Sequence, residues 1–213
     1  KLQNQKDEEL LILIAKLLKL EALPERIEAY DISNIGSENI TAGMVVYKNG
    51  HPSKKDYRIF NMKDVSGKPD DYASMQEAIR RRIKRFKADE GTSFSEYPDL
   101  MLIDGGKGHI SAVKEVLFEE GVDIPVFGMV KDEYHKTRAL TTETEEISIA
   151  REQPVFLLIY KLQEEVHRYT VSRMTGAKRK TLKRSSLQNI SGIGPSKAKA
   201  LLSAFGGLNG VKN

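Results

Sequence analysis

The sequence predicts an α/β protein: a mixed β-sheet flanked by helices, with a small helical segment at the C-terminal end. Three observations support this class: three closely spaced apolar runs near the start, a later alternation of apolar strands with amphipathic helices, and a basic composition after Met174. Closely spaced runs favour antiparallel pairing, whereas strand–helix alternation favours parallel neighbours. A sheet of mixed direction with helices on its faces is therefore expected.

The N-terminal part is predicted to contain one helix and three strands. Leucine and isoleucine recur at helical spacing over about residues 7–19, and Pro24 ends the pattern. The strands are predicted over residues 27–32, 40–47 and 57–61. The dipeptide Asn49-Gly50 between the last two is typical of tight hairpin turns. These three strands are expected to form an antiparallel meander.

The rest of the main domain is predicted to alternate helices and strands. Apolar residues at steps of four, four and three indicate a helix over residues 72–86. There follow a strand ending at Asp104, a helix over about 110–118, a strand over 126–130, a small hairpin over 138–149 and a helix over about 154–174. We therefore predict one main domain over residues 1–174, of which 1–24 are an N-terminal helix and lead-in.

Two further segments are predicted after the main domain. Residues 175–185 are strongly basic and are interpreted as a linker. Residues 186–213 contain a glycine turn followed by a helical pattern, and they are interpreted as a partial helix–hairpin–helix module for DNA. Such a hairpin usually needs a second copy to complete its core, so partial folding is expected.

Composition limits the possible classes of function. The net charge of +4, from 34 Lys and Arg against 30 Asp and Glu, is too small to establish a nucleic-acid partner. The absence of cysteine excludes disulfides, thiolate zinc sites and a thiol nucleophile, and it fits a reducing cytoplasm. The apolar stretch from Leu10 to Leu20 is shorter than the about 20 residues of a membrane span, so no membrane partner is expected. A start at Lys1 without a signal-peptide pattern suggests a piece of a longer protein.

Two aspartates follow apolar runs that predict buried strands. Asp31 ends the run that begins at Ile27, and Asp104 ends the run that begins at Leu100. If these strands lie parallel and adjacent, both carboxylates emerge at one end of the sheet and can share a divalent cation. This is the RNase-H-like arrangement, in which strand-end acids hold Mg²⁺ or Mn²⁺ against a scissile phosphate. Turn capping is the simpler interpretation for either acid alone, but the pair favours a metal site.

A third ligand is expected from the helix over 154–174. It offers Glu164, Glu165 and His167, and an imidazole can bind metal or move a proton near neutral pH. The alternative for His167 is a surface residue without a role. Asp71 is either a helix cap or a further catalytic acid. Residues 131–136 follow the strand over 126–130 and are a weak additional candidate for the same site.

Basic residues and a glycine turn predict contacts with a nucleic-acid backbone. Six of the eight residues from Arg80 to Lys87 are basic and form a candidate phosphate track, although such runs are usually a solvated face. The glycine turn before the last helix offers backbone amides to a phosphate. The predicted DNA-binding residues are Arg80, Arg81, Arg82, Lys84, Arg85, Lys107, Lys178, Arg179, Lys180, Gly192, Ile193, Gly194 and Lys197.

Four segments, taken in order, resemble the C-terminal half of the UvrC family, the nuclease subunit of bacterial nucleotide excision repair. They are Tyr30-Asp31-Ile32-Ser33-Asn34, Asp70-Asp71-Tyr72-Ala73-Ser74-Met75, Leu102-Ile103-Asp104-Gly105-Gly106-Lys107-Gly108 and Ile190-Ser191-Gly192-Ile193-Gly194-Pro195. The resemblance implies a metal-dependent endonuclease that makes the incision 5′ to a lesion. It carries the family's catalytic positions onto Asp31, Asp104 and His167, with Asp71 as a further acid.

The resemblance also implies partners. These are damaged double-stranded DNA and UvrB, with UvrA upstream in the pathway. The N-terminal nuclease half of the family and its UvrB-binding segment are not found among these residues, so weak recruitment to DNA is expected.

Two alternatives stay open. A non-catalytic DNA-binding module would use the basic residues while the acids cap turns, and it would bind no metal. Another RNase-H-like enzyme, such as a transposase or resolvase, would share the chemistry. The order of the motifs and the hairpin segment argue against the second alternative.

Overall fold

The computed structural model describes residues 2–34, 39–63, 70–88, 94–133, 137–188 and 194–204. The strands are β1 (Arg26–Asn34), β2 (Asn39–Lys48), β3 (His51–Pro52), β4 (Arg58–Lys63), β5 (Leu100–Ile103), β6 (Val126–Lys131), β7 (Thr137–Thr141) and β8 (Glu146–Ser148). The helices are α1 (Leu2–Leu18), α2 (Asp71–Lys87), α3 (Lys107–Glu119), α4 (Gln153–Gln188) and α5 (Pro195–Ala204). The chain divides into two compact units whose boundary lies between Thr170 and Val171.

The strands form one mixed sheet, which confirms the predicted fold class. Their order is β3-β2-β1-β5-β6-β7-β8, and β4 also pairs with β2. β1 pairs antiparallel with β2 and parallel with β5, which in turn pairs parallel with β6. The turn between β2 and β3 has positive φ at Asn49 and Gly50, as a two-residue hairpin requires. β1 is thus an interior strand, and its parallel neighbour is the strand that precedes Asp104.

Side-chain alternation along the strands creates two cores, one on each face of the sheet. Ile27 and Ala29 of β1 pack in the core that includes α1 and α4, whereas the other core includes α2 and α3. Because alternate residues share a face, Asp31 follows Ala29 toward α4. Asp104 follows Leu102, which belongs to the same core. Both carboxylates therefore face α4.

The start of α2 separates the roles of two neighbouring aspartates. The Asp70 carboxylate accepts a hydrogen bond from the Ala73 backbone N–H at 2.9 Å, so Asp70 is the N-cap. Asp71 is the first residue of the helix. The helix cap predicted as one role for Asp71 is therefore supplied by its neighbour.

The late helix is longer than the sequence predicted. α4 continues to Gln188, so residues 175–185, interpreted as a linker, have a helical backbone. This correction has a simple cause: Ala, Leu, Lys and Arg are strong helix formers, a single Gly176 is tolerated, and no proline occurs between Pro154 and Pro195. Residues 189–193 lie outside the described residues, so the hairpin stays a prediction. No described helix has both the length and the apolar character needed to cross a membrane.

Candidate active site

Asp31, Asp104 and His167 meet where β1 and β5 end. One ligand atom from each residue, an oxygen from either carboxylate and a ring nitrogen, lies within 4.8 Å of the other two. The Nδ1 atom of His167 is 3.1 Å from Asp31 Oδ2. Asp31 is buried, Asp104 is half-buried and His167 is exposed. The structure thus brings together the three residues on which the sequence analysis placed a metal, with one side open to solvent.

A glycine on the neighbouring strand allows α4 to approach the sheet at this point. Gly43 of β2 pairs with Asp31 of β1. A Cβ atom at position 43 would overlap the hydroxyl of Thr170 and lie 3.0 Å from its Cβ. Thr170 follows His167 by three residues, so both lie on the same side of α4. The absence of a side chain at Gly43 therefore sets the distance between His167 and Asp31.

Lys131 neutralises one side of the acid pair. Its Nζ donates to Asp104 Oδ2 at 2.9 Å. Lys131 is the last residue of β6, which lies beside β5 in the sheet. Lys131 belongs to the segment 131–136, which the sequence analysis considered a weak candidate for this site. Residues 134–136 lie outside the described residues.

Gln163 holds the other oxygen of Asp104. Its side-chain amide donates to Asp104 Oδ1 at 2.9 Å and to the Met129 carbonyl at 3.2 Å. Its own carbonyl oxygen accepts a hydrogen bond from the Thr137 hydroxyl. Because Gln163 is only 1% exposed and engaged at both ends, it has one orientation. Asp104 is therefore a fixed ligand, held from two strands and from α4.

Sequence reasoning missed Gln163, although a signal was present. Gln163 precedes His167 by four residues, so the two share one face of α4. The two glutamates considered as third ligands do not join the group. Glu164 is exposed, and Glu165 forms an ion pair with Arg168 at 2.7 Å.

The carboxylates of Asp31 and Asp104 repel each other when both are ionised. The pKa of Asp31 is raised to about 6, first by burial and then by the Asp104 carboxylate, whereas His167 and Lys131 act to lower it. Two carboxylates at this separation favour the neutral form of one partner unless a cation is present. The donor set and its charge therefore fit a divalent cation.

Asp71 does not belong to the three-residue group. The next residue, Tyr72, contacts the ring of His109 in the first turn of α3, with ring centroids 4.7 Å apart. The first turns of α2 and α3 therefore lie side by side. Asp71 is thus the first residue of a helix whose first turn lies beside that of α3, and α3 begins three residues after Asp104.

Arg82 is buried, which corrects its prediction as a DNA contact. It has no exposed surface, and its guanidinium lies 2.8 Å from a Glu28 oxygen. The same group donates to the carbonyls of Phe94 and Glu96. Arg82 follows Ile79 by three residues and so falls beside the apolar stripe of α2. A buried arginine that is fully paired within the protein is not available to a phosphate.

The other basic residues of α2 are partly engaged within the protein. Their contacts are ion pairs of Arg80 with Glu119, Arg81 with Glu77 and Lys87 with Glu120, and the Arg85 guanidinium over the Phe94 ring. Lys84 is exposed. The continuous phosphate track expected from the sequence is thus reduced by acidic partners.

The remaining predicted DNA contacts lie at two helix starts and along α4. Lys107 is exposed at the first residue of α3, and Gly194 and Lys197 are exposed around the start of α5. The side chains of residues 178–180, and all of residues 192 and 193, lie outside the described residues. Their contact with DNA stays a prediction.

Comparison with known proteins identifies the family. A family model described as the UvrC RNase H endonuclease domain matches residues 15–171. This chain belongs to that family. The UvrABC system protein C of Alkaliphilus oremlandii (strain OhILAs) is 42% identical over 224 residues, a match that covers 100% of this chain and 36% of that protein. The protein of the same name from Acetivibrio thermocellus is 40% identical, covering 93% of this chain and 34% of its relative.

The chain therefore spans about a third of the length of the curated UvrC relatives it matches. Among solved structures, human ENDOV aligns with a TM-score of 0.44 at 10% identity, over 76% of this chain and 90% of that one. The catalytic domain of Mos1 mariner transposase aligns with a TM-score of 0.30 at 14% identity, over 81% of this chain and 94% of that one.

Proposed function

We propose that this chain is a divalent-metal-dependent DNA endonuclease domain that hydrolyses a phosphodiester during excision repair. The observation that carries this proposal is the group formed by Asp31, Asp104 and His167, whose ligand atoms lie within 4.8 Å of one another at the ends of two parallel strands. Membership in the UvrC RNase H endonuclease domain family supports the same activity. This membership also favours a role in excision repair over activity as a transposase.

The donor set suits Mg²⁺ or Mn²⁺. Carboxylate oxygens are the preferred ligands of these hard cations, and an imidazole nitrogen is compatible with Mn²⁺. Asp31, Asp104 and His167 would hold the ion. When bound, the cation offsets the charge of the phosphate and makes a water molecule a better nucleophile.

The protein contributes fixed geometry and a proton-transfer group. Gln163 and Lys131 hold Asp104 from its two oxygens, so this ligand does not reorient when substrate arrives. The His167 side chain is 57% exposed and meets Asp31 through Nδ1. His167 can therefore bind the cation or move a proton at the edge of the site. Either role requires the imidazole to lie beside Asp31, where it is found.

DNA would reach the site from the side where α2 and α3 begin. Lys107 is an exposed cation at the first residue of α3, and Asp71, the first residue of α2, is a further acid there. Lys84 is exposed in the last turn of α2 and would contact DNA farther from the site. The basic residues 178–180 and the α5 start with Gly194 and Lys197 would add backbone contacts. The resemblance to the UvrC family extends the proposal to damaged double-stranded DNA as the substrate, cut 5′ to the lesion, with UvrB as partner and UvrA upstream. Action on bacterial chromosomal DNA implies a cytoplasmic location.

Plasmid nicking tests the catalytic assignment. With Mg²⁺ or Mn²⁺ the wild-type chain is expected to relax supercoiled plasmid, and Asp31→Asn is expected to lose this activity because a metal ligand is removed. The matched control is Asp123→Asn, which removes an exposed carboxylate in the loop between α3 and β6. Wild-type nicking rates in Asp31→Asn would refute the assignment.

Calorimetric titration with Mn²⁺ separates the nuclease from a non-catalytic DNA-binding module. A site that Asp31→Asn and Asp104→Asn each abolish supports the nuclease. Wild-type DNA binding with no Mn²⁺ site would instead identify a binding module.

A further inference from the structure

We propose that Tyr72 and His109 form an aromatic platform on which a base of the DNA stacks beside the metal site. This inference rests on the proposed nuclease function and deepens it, because it names the surface that holds a nucleotide next to the scissile phosphate. The ligand is a nucleobase, recognised by its flat face and not by its hydrogen-bonding edge.

Tyr72 is a large aromatic residue that the fold leaves half exposed. It is the second residue of α2, and its side chain is 52% exposed. On the inner side its ring contacts His109, with centroids 4.7 Å apart and planes tilted by 56°. An exposed ring supported by a second ring is preorganised, because little side-chain freedom is left to lose on binding.

Two glycines in the segment after Asp104 make room for the two rings. A Cβ atom on Gly108 would lie 2.8 Å from the Tyr72 hydroxyl oxygen and 2.9 Å from two ring carbons. A Cβ atom on Gly105 would lie 2.7 Å from Cγ and Nδ1 of His109. The rings therefore rest directly on the backbone around the start of α3. Gly106, between them, has open space around it.

The platform is close in the chain to one residue of the metal site. Gly105, against which His109 packs, directly follows the ligand Asp104. Lys107, in the same turn, is exposed and offers a cation to a neighbouring phosphate. Asp104, Lys107 and His109 thus lie in one short segment, residues 104–109, and His109 contacts Tyr72 of α2. We therefore expect a nucleotide whose phosphate lies at the metal to place its base on this surface.

Stacking on aromatic rings suits contact with DNA of any sequence. Every base has a π-face, so stacking on aromatic side chains stabilises binding with little sequence preference. A hydrogen-bonding pocket would instead select one base. The platform is therefore expected to contribute affinity and positioning without specificity.

Substitution of Tyr72 tests the platform. DNA binding is measured by fluorescence anisotropy of a labelled single-stranded oligonucleotide in EDTA, so that no strand is cut. Tyr72→Ala is expected to bind about tenfold more weakly, whereas Tyr72→Phe keeps the ring and the affinity. The control is Phe118→Ala, which removes a ring that is 88% exposed at the other end of α3. An unchanged affinity in Tyr72→Ala would refute the platform.

The glycine pair gives a second and independent test. Gly108→Ala places a methyl group where the Tyr72 ring rests, so the ring must rotate away and the affinity is expected to fall as in Tyr72→Ala. Gly106→Ala is the matched control, because a methyl group there meets no atom within 4 Å. Circular dichroism checks that both variants fold. Equal DNA affinity in Gly108→Ala and Gly106→Ala would count against the platform.

Photocrosslinking distinguishes failure of the platform from failure of the nuclease. DNA carrying 5-iodouracil is expected to crosslink to Tyr72, and mass spectrometry identifies the modified peptide. If wild-type protein nicks plasmid but neither crosslinks through Tyr72 nor loses affinity in Tyr72→Ala, the platform is wrong and the nuclease stands. If wild-type protein neither binds nor cuts DNA, the proposed function fails, and the platform fails with it.

Discussion

Asp31 is a buried acid that faces a second acid, and its ionisation opposes folding when no cation is bound. Its pKa rises from an ordinary value of 3.8 to about 6, mainly through burial and then through Asp104. A raised carboxyl pKa means that the folded state holds its proton more tightly than the unfolded state. The protonated Asp31 carboxyl therefore contributes stability that is fully present below about pH 4 and is lost as the pH rises from about 4 to about 6.

Neutralising Asp31 is accordingly expected to stabilise the metal-free protein. At pH 7 in EDTA, Asp31→Asn should raise the free energy of unfolding by about 3 kcal/mol, since the pKa is raised from 3.8 to about 6 and each unit corresponds to about 1.4 kcal/mol. Urea denaturation measures this change. Asp123→Asn, at an exposed position, should leave the stability unchanged. A lower free energy of unfolding in Asp31→Asn than in the wild type would show that the ionised Asp31 does not destabilise the metal-free protein.

Metal binding should depend on pH through the same carboxyl group. Asp104, His167 and Lys131 are the charged or titratable groups that act on Asp31. Because a proton competes with the cation, the Mn²⁺ association constant should fall about tenfold per pH unit below about pH 6. Calorimetry between pH 5 and pH 8 measures this slope. An association constant that does not vary between pH 5 and pH 6 would contradict the role of Asp31 as a ligand.

Among the secondary-structure elements, β1 and α4 together determine the site. β1 supplies Asp31 next to its parallel neighbour β5, and α4 supplies both His167 and Gln163. α4 reaches the sheet because Thr170 packs on Gly43. The helix is thus positioned by a contact that involves no metal ligand.

Filling Gly43 should therefore weaken the site from a distance. Gly43→Ala forces Thr170 away, and overpacking of this kind costs about 1–3 kcal/mol in unfolding free energy. The shift of α4 should also lower Mn²⁺ affinity, because His167 moves from Asp31. Calorimetry and urea denaturation report the two effects.

A compensating substitution distinguishes displacement of α4 from general damage. Thr170→Ala removes the hydroxyl that the new methyl group would overlap. The double variant Gly43→Ala/Thr170→Ala should regain part of the Mn²⁺ affinity lost in Gly43→Ala. Thr170→Ala alone is the control. Equal Mn²⁺ affinity in Gly43→Ala and the wild type would contradict this account of how α4 is positioned.

At the scale of the whole molecule, the candidate site lies entirely within the first compact unit. All three members of the group precede Val171, where the second unit begins. The side chains of Gln163 and Lys131, which orient Asp104, also belong to the first unit. Metal binding should therefore not require the second unit.

Truncation checks this independence. A chain ending at Ser172 should bind Mn²⁺ as tightly as the full chain, measured by calorimetry. It should bind DNA more weakly, with a smaller dependence on salt, because basic residues such as those at 178–180 are removed. Loss of the Mn²⁺ site in a truncated chain that circular dichroism shows to be folded would contradict the prediction.

Much of the fold follows from the sequence because it depends on periodic patterns. Apolar spacing identifies the inner face of α2 through Met75, Ile79 and Ile83, all of which are buried. The acid pair follows from a rule of the same kind, since residues that end adjacent parallel strands emerge at one edge of the sheet. Asp31 and Asp104 were therefore predictable as neighbours, and His167 as one of three helical candidates.

What only the tertiary structure decided is which polar groups are partners. Arg82 looks like a member of a basic face, but it is buried because Glu28, 54 residues away, is also buried. Gln163 lies 59 residues from the Asp104 that it holds. Periodicity fixes which residues share a face of one element, whereas a charge or hydrogen bond is satisfied by whatever the packing brings opposite. The sequence alone therefore determined the sheet and its pair of acids, and only packing determined which side chains complete and support them.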